Sequence, residues 1–596
     1  MQAEEERHLK FAGDFDCLPE PLPTLRHSTS HVMAQAVKRL FPEVKVAIGP
    51  AIEDGFYYDF LKSTPFTPED LERIEGVMRE IIKADLKFER DEMPREKAIK
   101  FFEERGEPFK VEILKDLDVP TVSLYRQGDF VDLCRGPHVP STGHIKAFKL
   151  LSASGAYWRG DERNAMLQRI YGTAWPTQEE LDKYLWRLEE AKKRDHRKLG
   201  RELDLFDFYD VAPGAPFWLP NGMILVRELE KFARESLDAH DYQEISTPML
   251  VNKRLWEQSG HWEHYRDNMF RLEVEEQEFA LKPMNCPEST YVYRRALRSY
   301  RDLPLRYSEM GRCQRNERSG TLTGLARVRQ FTQDDAHIYM RLDQLQGEIT
   351  ALLELVREWY KTFTLASTFT LSTRPAKKLG TEAQWDVAER ALHEALKTNG
   401  LAYEVAAGEG AFYGPKIDIF VEDVLGRSLQ LATIQVDLNL PERFELEYID
   451  TDGQPKRPVV VHRAIFGSYE RFVGILVEHF AGAFPTWLAP VQARVLPVSE
   501  KHAEYAQKVY RQLREVRVRA ELDDRNEKLG YRIREAQLHK VPYMLVVGER
   551  EAQSGTASLR RRTGEDLGAV ALDRIVSELV AEIGNRSATL TVGRTG

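Results

Sequence analysis

Cysteine is scarce: the 596 residues hold four, Cys17, Cys134, Cys286 and Cys313. Four cannot build a disulfide framework for so long a chain, so a reducing cytoplasm is the expected home. Long apolar runs are missing too. None approaches the ~18 residues that cross a bilayer, so no membrane contact is expected. The opening MQAEEERHLK is acidic and has no apolar stretch, so no secretory leader is read there. Repeats and low-complexity segments are absent, which excludes a solenoid. The chain also lacks a uniformly basic balance, since its net charge is −10. That charge is uneven. Residues 491–596 carry 19 Lys+Arg against 15 Asp+Glu, a basic tail on an acidic body that is compatible with RNA contact. What remains is a globular composition, 42% hydrophobic and 30% charged. The length suits roughly three to five domains.

Chemistry concentrates in residues 309–337, EMGRCQRNERSGTLTGLARVRQFTQDDAH. A strand-like run at 304–310 enters, a Ser/Gly turn follows at 319–324, and a second strand is expected over 325–332. Arg312, Arg315, Arg318, Arg327 and Arg329 crowd the hairpin, and Asp334, Asp335 and His337 follow it. Guanidinium forks grip phosphate oxygens bidentately, so the hairpin suits a nucleotide triphosphate. A solvated basic hairpin is the competing reading.

Upstream, 1–24 ends in Pro19, Pro21 and Pro23 and reads as an extended lead-in. HSTSHVMAQAVKRLF (27–41) has helical spacing, which puts His27 and His31 on one face. DFVDLCRGPHVPSTGH places Cys134 and His138 four apart beside a Gly-Pro turn. The four residues could form a tetrahedral metal set, or be two unrelated pairs. Residues 179–201 read as a charged linker helix, 227–240 as an amphipathic helix and 242–250 as a strand broken at Pro248. A helix is expected at 345–363, strands at 408–423 and 427–444, and a strand, a Gly467 turn and a helix over 459–480. Apolar strands bearing Gln, Tyr and Thr suit an antiparallel sheet whose open face is a ligand floor. Beyond Pro490, strands alternate with helices at 503–515, 527–540 and 572–583, which predicts a small α/β domain with a mostly parallel sheet.

These strings carry a resemblance. RNE followed by RVRQFTQDDAH resembles motif 2 of the class II aminoacyl-tRNA synthetases, in the form found in the threonyl enzymes. The helix before YQEISTPML, with that strand, resembles motif 1, and GSYERFVGIL resembles motif 3. HSTSH, AIGPAIEDGFYYDF, VDLCRGPHVP and GAYWRGDERNAMLQRIYGTAW resemble the editing domain shared by threonyl and alanyl enzymes. The last segment resembles the anticodon-binding domain of the threonyl, prolyl, glycyl and histidyl enzymes. The implied order is a lead-in (1–24), an α+β editing domain (25–178), a linker helix (179–198), a class II antiparallel-sheet catalytic domain (199–490) and an α/β anticodon-binding domain (491–596). Two departures stand out. Glu288 and Ser289 follow MNCP where Gly-His is usual, and only 26 residues precede His27, so the small β-grasp domain that opens many bacterial relatives is expected to be missing.

The resemblance implies ATP held by Arg315 at the α-phosphate and Arg471 at the γ-phosphate, with Mg bridging the phosphates. Adenine would lie between Phe331 and Arg471, with Glu317 at its amino group. Both arginines would act electrostatically, without a covalent nucleophile. One Zn per chain is implied on Cys286, His337 and His462, with an open position for threonine. Met284, Gln333, Asp335, Tyr413, Gln430, Thr433, Gln435 and Ser468 would line the amino-acid pocket, Asp335 accepting from the threonine hydroxyl. His27, His31, Lys110, Asp132, Cys134 and His138 would form a hydrolytic editing pocket. Alanyl relatives hold zinc at such a set, whereas in bacterial threonyl enzymes it resembles a metal-free pocket. Asn526, Lys528, Glu551 and Arg560 would contact anticodon bases.

The implied activity joins L-threonine to tRNA(Thr) with ATP, in a homodimer, and hydrolyses Ser-tRNA(Thr). Two sites are needed because a hydroxyl-binding pocket rejects valine by ~10⁴–10⁵ but serine by only ~10–200-fold. The alternative is a non-catalytic RNA-binding or regulatory relative that kept the fold; Arg315, Arg471 and the Cys-His-His set argue against it. That set also disfavours a related ligase for proline or serine.

Overall fold

The computed structural model describes residues 21–593. The chain divides into two compact units, one up to Glu189 and one from Glu190 onward. No helix among the described residues is long and apolar enough to cross a membrane.

The first unit sets the helix Pro21–Leu40 against a five-stranded antiparallel sheet. Val32, Met33, Ala36 and Val37 on the helix share a core with Phe56, Tyr58, Phe60 and Ile170 on the sheet. The helix starts earlier than 27, so the end of the expected lead-in is helical; 1–20 lie outside the described residues. Pro21 and Pro23 fall in its first turn, where no N–H is needed and proline is tolerated. A second, three-stranded sheet (Glu89–Pro94, Thr121–Gln127, Phe130–Leu133) carries the helices Arg95–Glu104 and Pro108–Asp116.

The second unit is built on an eight-stranded sheet. Its centre is antiparallel: Leu305–Gln314, Gln330–Met340, Val459–Ala464, Ser428–Asp437, Lys416–Glu422 and Ala366–Ser372 pair in that order. Apolar faces of the helices Pro220–Asp238, Leu345–Thr362, Glu382–Thr398 and Tyr469–His479 join one face of this sheet in the largest core. The other face carries a smaller apolar cluster, with Leu305, Tyr307, Tyr339 and Val460 from the sheet, and beside it a row of polar side chains.

Several expected boundaries move, each for a local reason. The linker helix breaks at Asp195, whose side chain accepts from Arg197 N and caps a second helix, His196–Glu202. The strand expected at 242–250 survives only as Gln243–Glu244 and Leu250–Asn252. Between them Glu309 accepts from Thr247 N at 2.8 Å and Thr247 Oγ1 at 2.9 Å, which replaces ladder bonds. The strand expected from 325 starts at Gln330, because Leu325 N is spent on His196.

At the C-terminal end, five strands order as Ala520–Leu522, Ala493–Pro497, Tyr543–Val547, Thr556–Arg561, Asp566–Ala571. The first three are parallel and the last two antiparallel, so the sheet is mixed rather than mostly parallel. The last two strands are joined by a tight turn with Gly564 at φ +93°, too short for a crossover helix. The helix expected at 527–540 spans Leu529–Leu538.

Candidate active site

Strand alternation decides what faces the site. On Gln330–Met340, Ala336, Ile338 and Met340 enter the large core. Phe331, Gln333, Asp335 and His337 therefore share the opposite face. On the next strand Val459 and Val461 are core, and His462 faces outward in direct register with His337. Gln435 is the next cross-strand partner of His462. A bulge at Leu431 then puts Gln430 on the same face as Thr433.

Ligand-type atoms of Cys286, His337 and His462 lie within 4.8 Å of one another. Cys286 opens the helix Cys286–Arg294. The two imidazoles meet edge-on, with centroids 4.9 Å apart. His462 Nε2 donates to Asp437 Oδ2 at 3.1 Å, which leaves a lone pair on Nδ1. That Nδ1 and His337 Nε2 are buried without a hydrogen-bond partner. Orphaned buried acceptors are costly, and a cation would satisfy both. Burial, then His462 and Arg463, holds His337 well below its usual pKa, so it is neutral and free to ligate. Burial raises the Cys286 thiol, and the negative charges of Asp335, Glu288 and Asp437 raise it further. A dication among those charges would reverse that balance. Two imidazoles and one thiolate are a donor set that suits zinc. Cys286 and His462 also line a small pocket with Tyr413, His261 and Arg443.

Beside this set, Asn285 Nδ2 donates to Asp335 Oδ2 at 3.0 Å. Burial pushes the Asp335 carboxyl up to about 6, while the Asn285 bond pulls it back. A Cβ on Gly311 would lie 2.1 Å from Asn285 Oδ1, so glycine there makes the approach possible. Tyr413 donates to Gln435 Oε1 at 3.0 Å. Gln430 donates to Asp418 Oδ1 at 2.7 Å, and Lys416 pairs with Asp418 at 2.7 Å. Gln333 Oε1 is buried and unpartnered, and Met284 is half-buried in the turn before Cys286. Ser468 caps the helix Tyr469–His479 by accepting from Arg471 N at 3.1 Å. Sequence reasoning missed Asn285, Lys416, Asp418 and Asp437. Their spacing carries no signal, because the fold alone brings them to the site.

Arg315 leaves the strand Leu305–Gln314, and its guanidinium lies 4.8 Å from the Phe331 ring centroid. Glu317 pairs with Arg327 at 2.9 Å. Arg329 is spent within the loop, donating to Glu317 O at 2.9 Å and Pro213 O at 3.3 Å. Arg471 is half-buried and has no ion pair among the described residues; burial lowers its pKa. A desolvated guanidinium without a counter-ion is ready for an anionic ligand.

The first unit holds a second cluster. Cys134 Sγ is 3.4 Å from His27 Nε2 and 3.2 Å from His138 Nε2, and all four ligand-type atoms of His27, His31, Cys134 and His138 lie within 4.8 Å. Lys110 Nζ meets Asp132 Oδ1 at 2.5 Å, and Tyr58 bridges them, 2.6 Å from Asp132 and 3.0 Å from Lys110. Burial lowers His27 to about 4 and pulls His31 and His138 well down as well. It pushes the Cys134 thiol up to about 12. The pocket therefore offers neutral imidazoles and a protonated thiol.

The four residues expected at an anticodon do not form one hydrogen-bonded cluster among the described residues. Asn526 and Lys528 are exposed beyond Ala520–Leu522. Glu551 follows the parallel strand Tyr543–Val547 and accepts from Gly548 N at 2.9 Å. Arg560 sits opposite Met544, lower in the sheet, and pairs with Asp566.

Comparison with known proteins agrees with this geometry. Residues 270–480 match the tRNA synthetase class II core domain (G, H, P, S and T), 492–582 an anticodon binding domain, and 122–171 the threonyl and alanyl tRNA synthetase second additional domain. Core, sheet and site thus define a class II aminoacyl-tRNA synthetase. Among its relatives, the threonine–tRNA ligase of Caldanaerobacter subterraneus subsp. tengcongensis is 57% identical over 562 residues, 94% of this chain and 87% of that protein. That of Acetivibrio thermocellus is 56% identical over 94% of this chain and 88% of its own. A crystal structure of the RNA binding domain of threonyl-tRNA synthetase from Cryptosporidium parvum Iowa II superposes with a TM-score of 0.63 at 43% identity, over 65% of this chain and 98% of that one. The chain belongs to the threonine–tRNA ligase family.

Proposed function

We propose that this chain activates L-threonine with ATP, transfers it to tRNA(Thr), and clears Ser-tRNA(Thr) in a separate pocket. The observation that carries the reading is the meeting of Cys286, His337 and His462 on the open sheet face, with two orphaned imidazole nitrogens. These three would hold a zinc ion, which when bound supplies a Lewis-acidic contact to the threonine amine and hydroxyl. Asp335, steadied by Asn285, accepts from that hydroxyl. The threonine carboxylate attacks the α-phosphate of ATP, pyrophosphate leaves, and Arg315 and Arg471 meet the phosphate charge. The terminal ribose of the tRNA then attacks the carbonyl carbon and AMP departs. Mg accompanies the ATP.

In the first unit, burial holds His27, His31 and His138 neutral, so they can orient a water by hydrogen bonding, whereas Cys134 is held as a thiol and is a poor nucleophile. Direct hydrolysis of the serine ester is the chemistry that follows. Asn526, Lys528, Glu551 and Arg560 are assigned to the anticodon. A homodimer is consistent with the apolar side chains of Leu250, Leu272 and Val274 exposed on one small sheet.

Pyrophosphate exchange with threonine, serine and valine, with zinc measured on the same sample, tests the reading. Exchange is expected with threonine, less with serine and almost none with valine, at one zinc per chain. Threonine-independent exchange, or full activity without metal, overturns it.

A further inference from the structure

We infer that His196 is a positioning residue for the loop running from Arg315 to Arg329. The inference rests on the reading that Arg315 and Glu317 hold ATP. His196 opens the short helix His196–Glu202, two residues beyond the long helix Gln178–Arg194. Its Nδ1 lies 2.6 Å from Glu478 Oε1, and Glu478 also accepts from His196 N at 3.2 Å. A carboxylate only accepts, so Nδ1 carries the proton and Nε2 keeps its lone pair. That lone pair accepts from Leu325 N at 3.0 Å, a buried bond across 129 positions of chain. Both ring nitrogens are committed, which excludes a metal role for the Asp195, His196 and Glu478 group.

Two glycines make room for the contact. A Cβ on Gly324 would lie 2.2 Å from His196 Nε2, and Gly324 holds φ +48°. A Cβ on Gly474 would lie 3.3 Å from Leu325 Cβ and 3.7 Å from the imidazole. Leu325 itself is fully buried in the large core. The loop's ends are tied by Arg315 N to Arg329 O at 2.8 Å, and its tip turns by Thr323 N to Arg327 O at 3.1 Å. His196 pins that tip itself, at Leu325 in its middle. Glu478 sets the imidazole tautomer, the imidazole sets Leu325, and Leu325 fixes the register in which Arg327 reaches Glu317. The device therefore orients the nucleotide groups without touching the nucleotide.

The test compares His196→Ala and His196→Gln in the full chain; the Gln side-chain oxygen reaches roughly where Nε2 accepts. One readout is hydrogen–deuterium exchange at the Leu325 amide. The other is KM for ATP and for threonine in pyrophosphate exchange. Loss of one such bond should speed Leu325 exchange and raise KM for ATP by roughly 3- to 10-fold, with KM for threonine unchanged and Gln restoring most of both. Unchanged Leu325 protection overturns the inference. So does lost protection with an unaltered KM for ATP, or a joint rise of both KM values with a lowered Tm. If His196→Ala does not fold, Glu478→Gln serves, because it frees the tautomer and should move the same two readouts. If the parent shows no threonine-dependent exchange, the ligase reading fails; calorimetric ATP affinity then replaces KM, with the same outcomes for His196.

Discussion

Asp437→Asn probes the metal assignment without altering a ligand. Asp437 Oδ2 accepts from His462 Nε2 at 3.1 Å, while Oδ1 accepts from Asn439 N at 2.7 Å and Leu440 N at 2.9 Å. The two backbone donors require an acceptor at Oδ1. In the variant the amide oxygen must take that place, which turns the NH₂ toward His462. A donor facing Nε2 selects the imidazole tautomer with its proton on Nδ1, the buried nitrogen that otherwise has no hydrogen-bond partner. The ligand is then blocked by its own hydrogen. Losing such an outer partner typically costs about 10- to 100-fold in metal affinity, or about 1.4–2.8 kcal/mol at 1.4 kcal/mol per decade. Competition against a chromogenic zinc chelator reads that ratio directly. The thermal midpoint of metal-stripped protein should barely move, because both backbone bonds persist. Parent-like zinc affinity in Asp437→Asn would refute the tautomer argument and, with it, His462 Nδ1 as a ligand.

Other outcomes follow from the same geometry. Arg315→Ala should slow adenylate formation by about 10²–10³ in single-turnover exchange, and an unchanged rate would show that the loop does not serve ATP. The His27/His31 double alanine variant should activate threonine normally yet accumulate Ser-tRNA, with non-additive single effects. Normal melting together with parent-rate hydrolysis would remove the editing assignment. Glu470 accepts from Thr332 N at 2.8 Å, and burial pushes its carboxyl up to about 7 from an ordinary 4.5. Between those values the unfolded chain ionises and the folded one resists, so this group's contribution to stability falls as pH rises. Glu470→Gln removes that loss. Its advantage in melting experiments should be absent below pH 4.5, grow to pH 7 and level off at no more than roughly 3 kcal/mol; a pH-independent difference contradicts the assigned ionisation.

Helices with a sustained apolar stripe were legible in the sequence. The one expected at 345–363 spans Leu345–Thr362, and the one at 503–515 spans Ala503–Glu515. Strand limits were legible only where neighbours supply ladder bonds. Thr247 and Leu325 bond to side chains instead, and periodicity does not register such a partner. The final hairpin was not read, because the expected alternation of strands and helices has no place for two adjacent antiparallel strands. At the site, Cys286, His337 and His462 came from resemblance, because nothing in their spacing marks them. Asn285, Asp418 and Asp437 were invisible for the opposite reason: each acts through a neighbour, so no motif names it.

The strand Gln330–Met340 constrains how this protein can change over time. Phe331, Gln333, Asp335 and His337 face the site, while Ala336, Ile338 and Met340 enter the core. Deleting or inserting one residue between Phe331 and His337 would exchange the two sets, presenting Ile338 to substrate and burying the ligand row. Point replacement is then the only kind of mutation this stretch can absorb singly. Changes of length are channelled into the loop at 315–329, where Arg318 and Arg327 already stand exposed. A lineage could thus remodel what the loop touches while the strand beside it keeps its count.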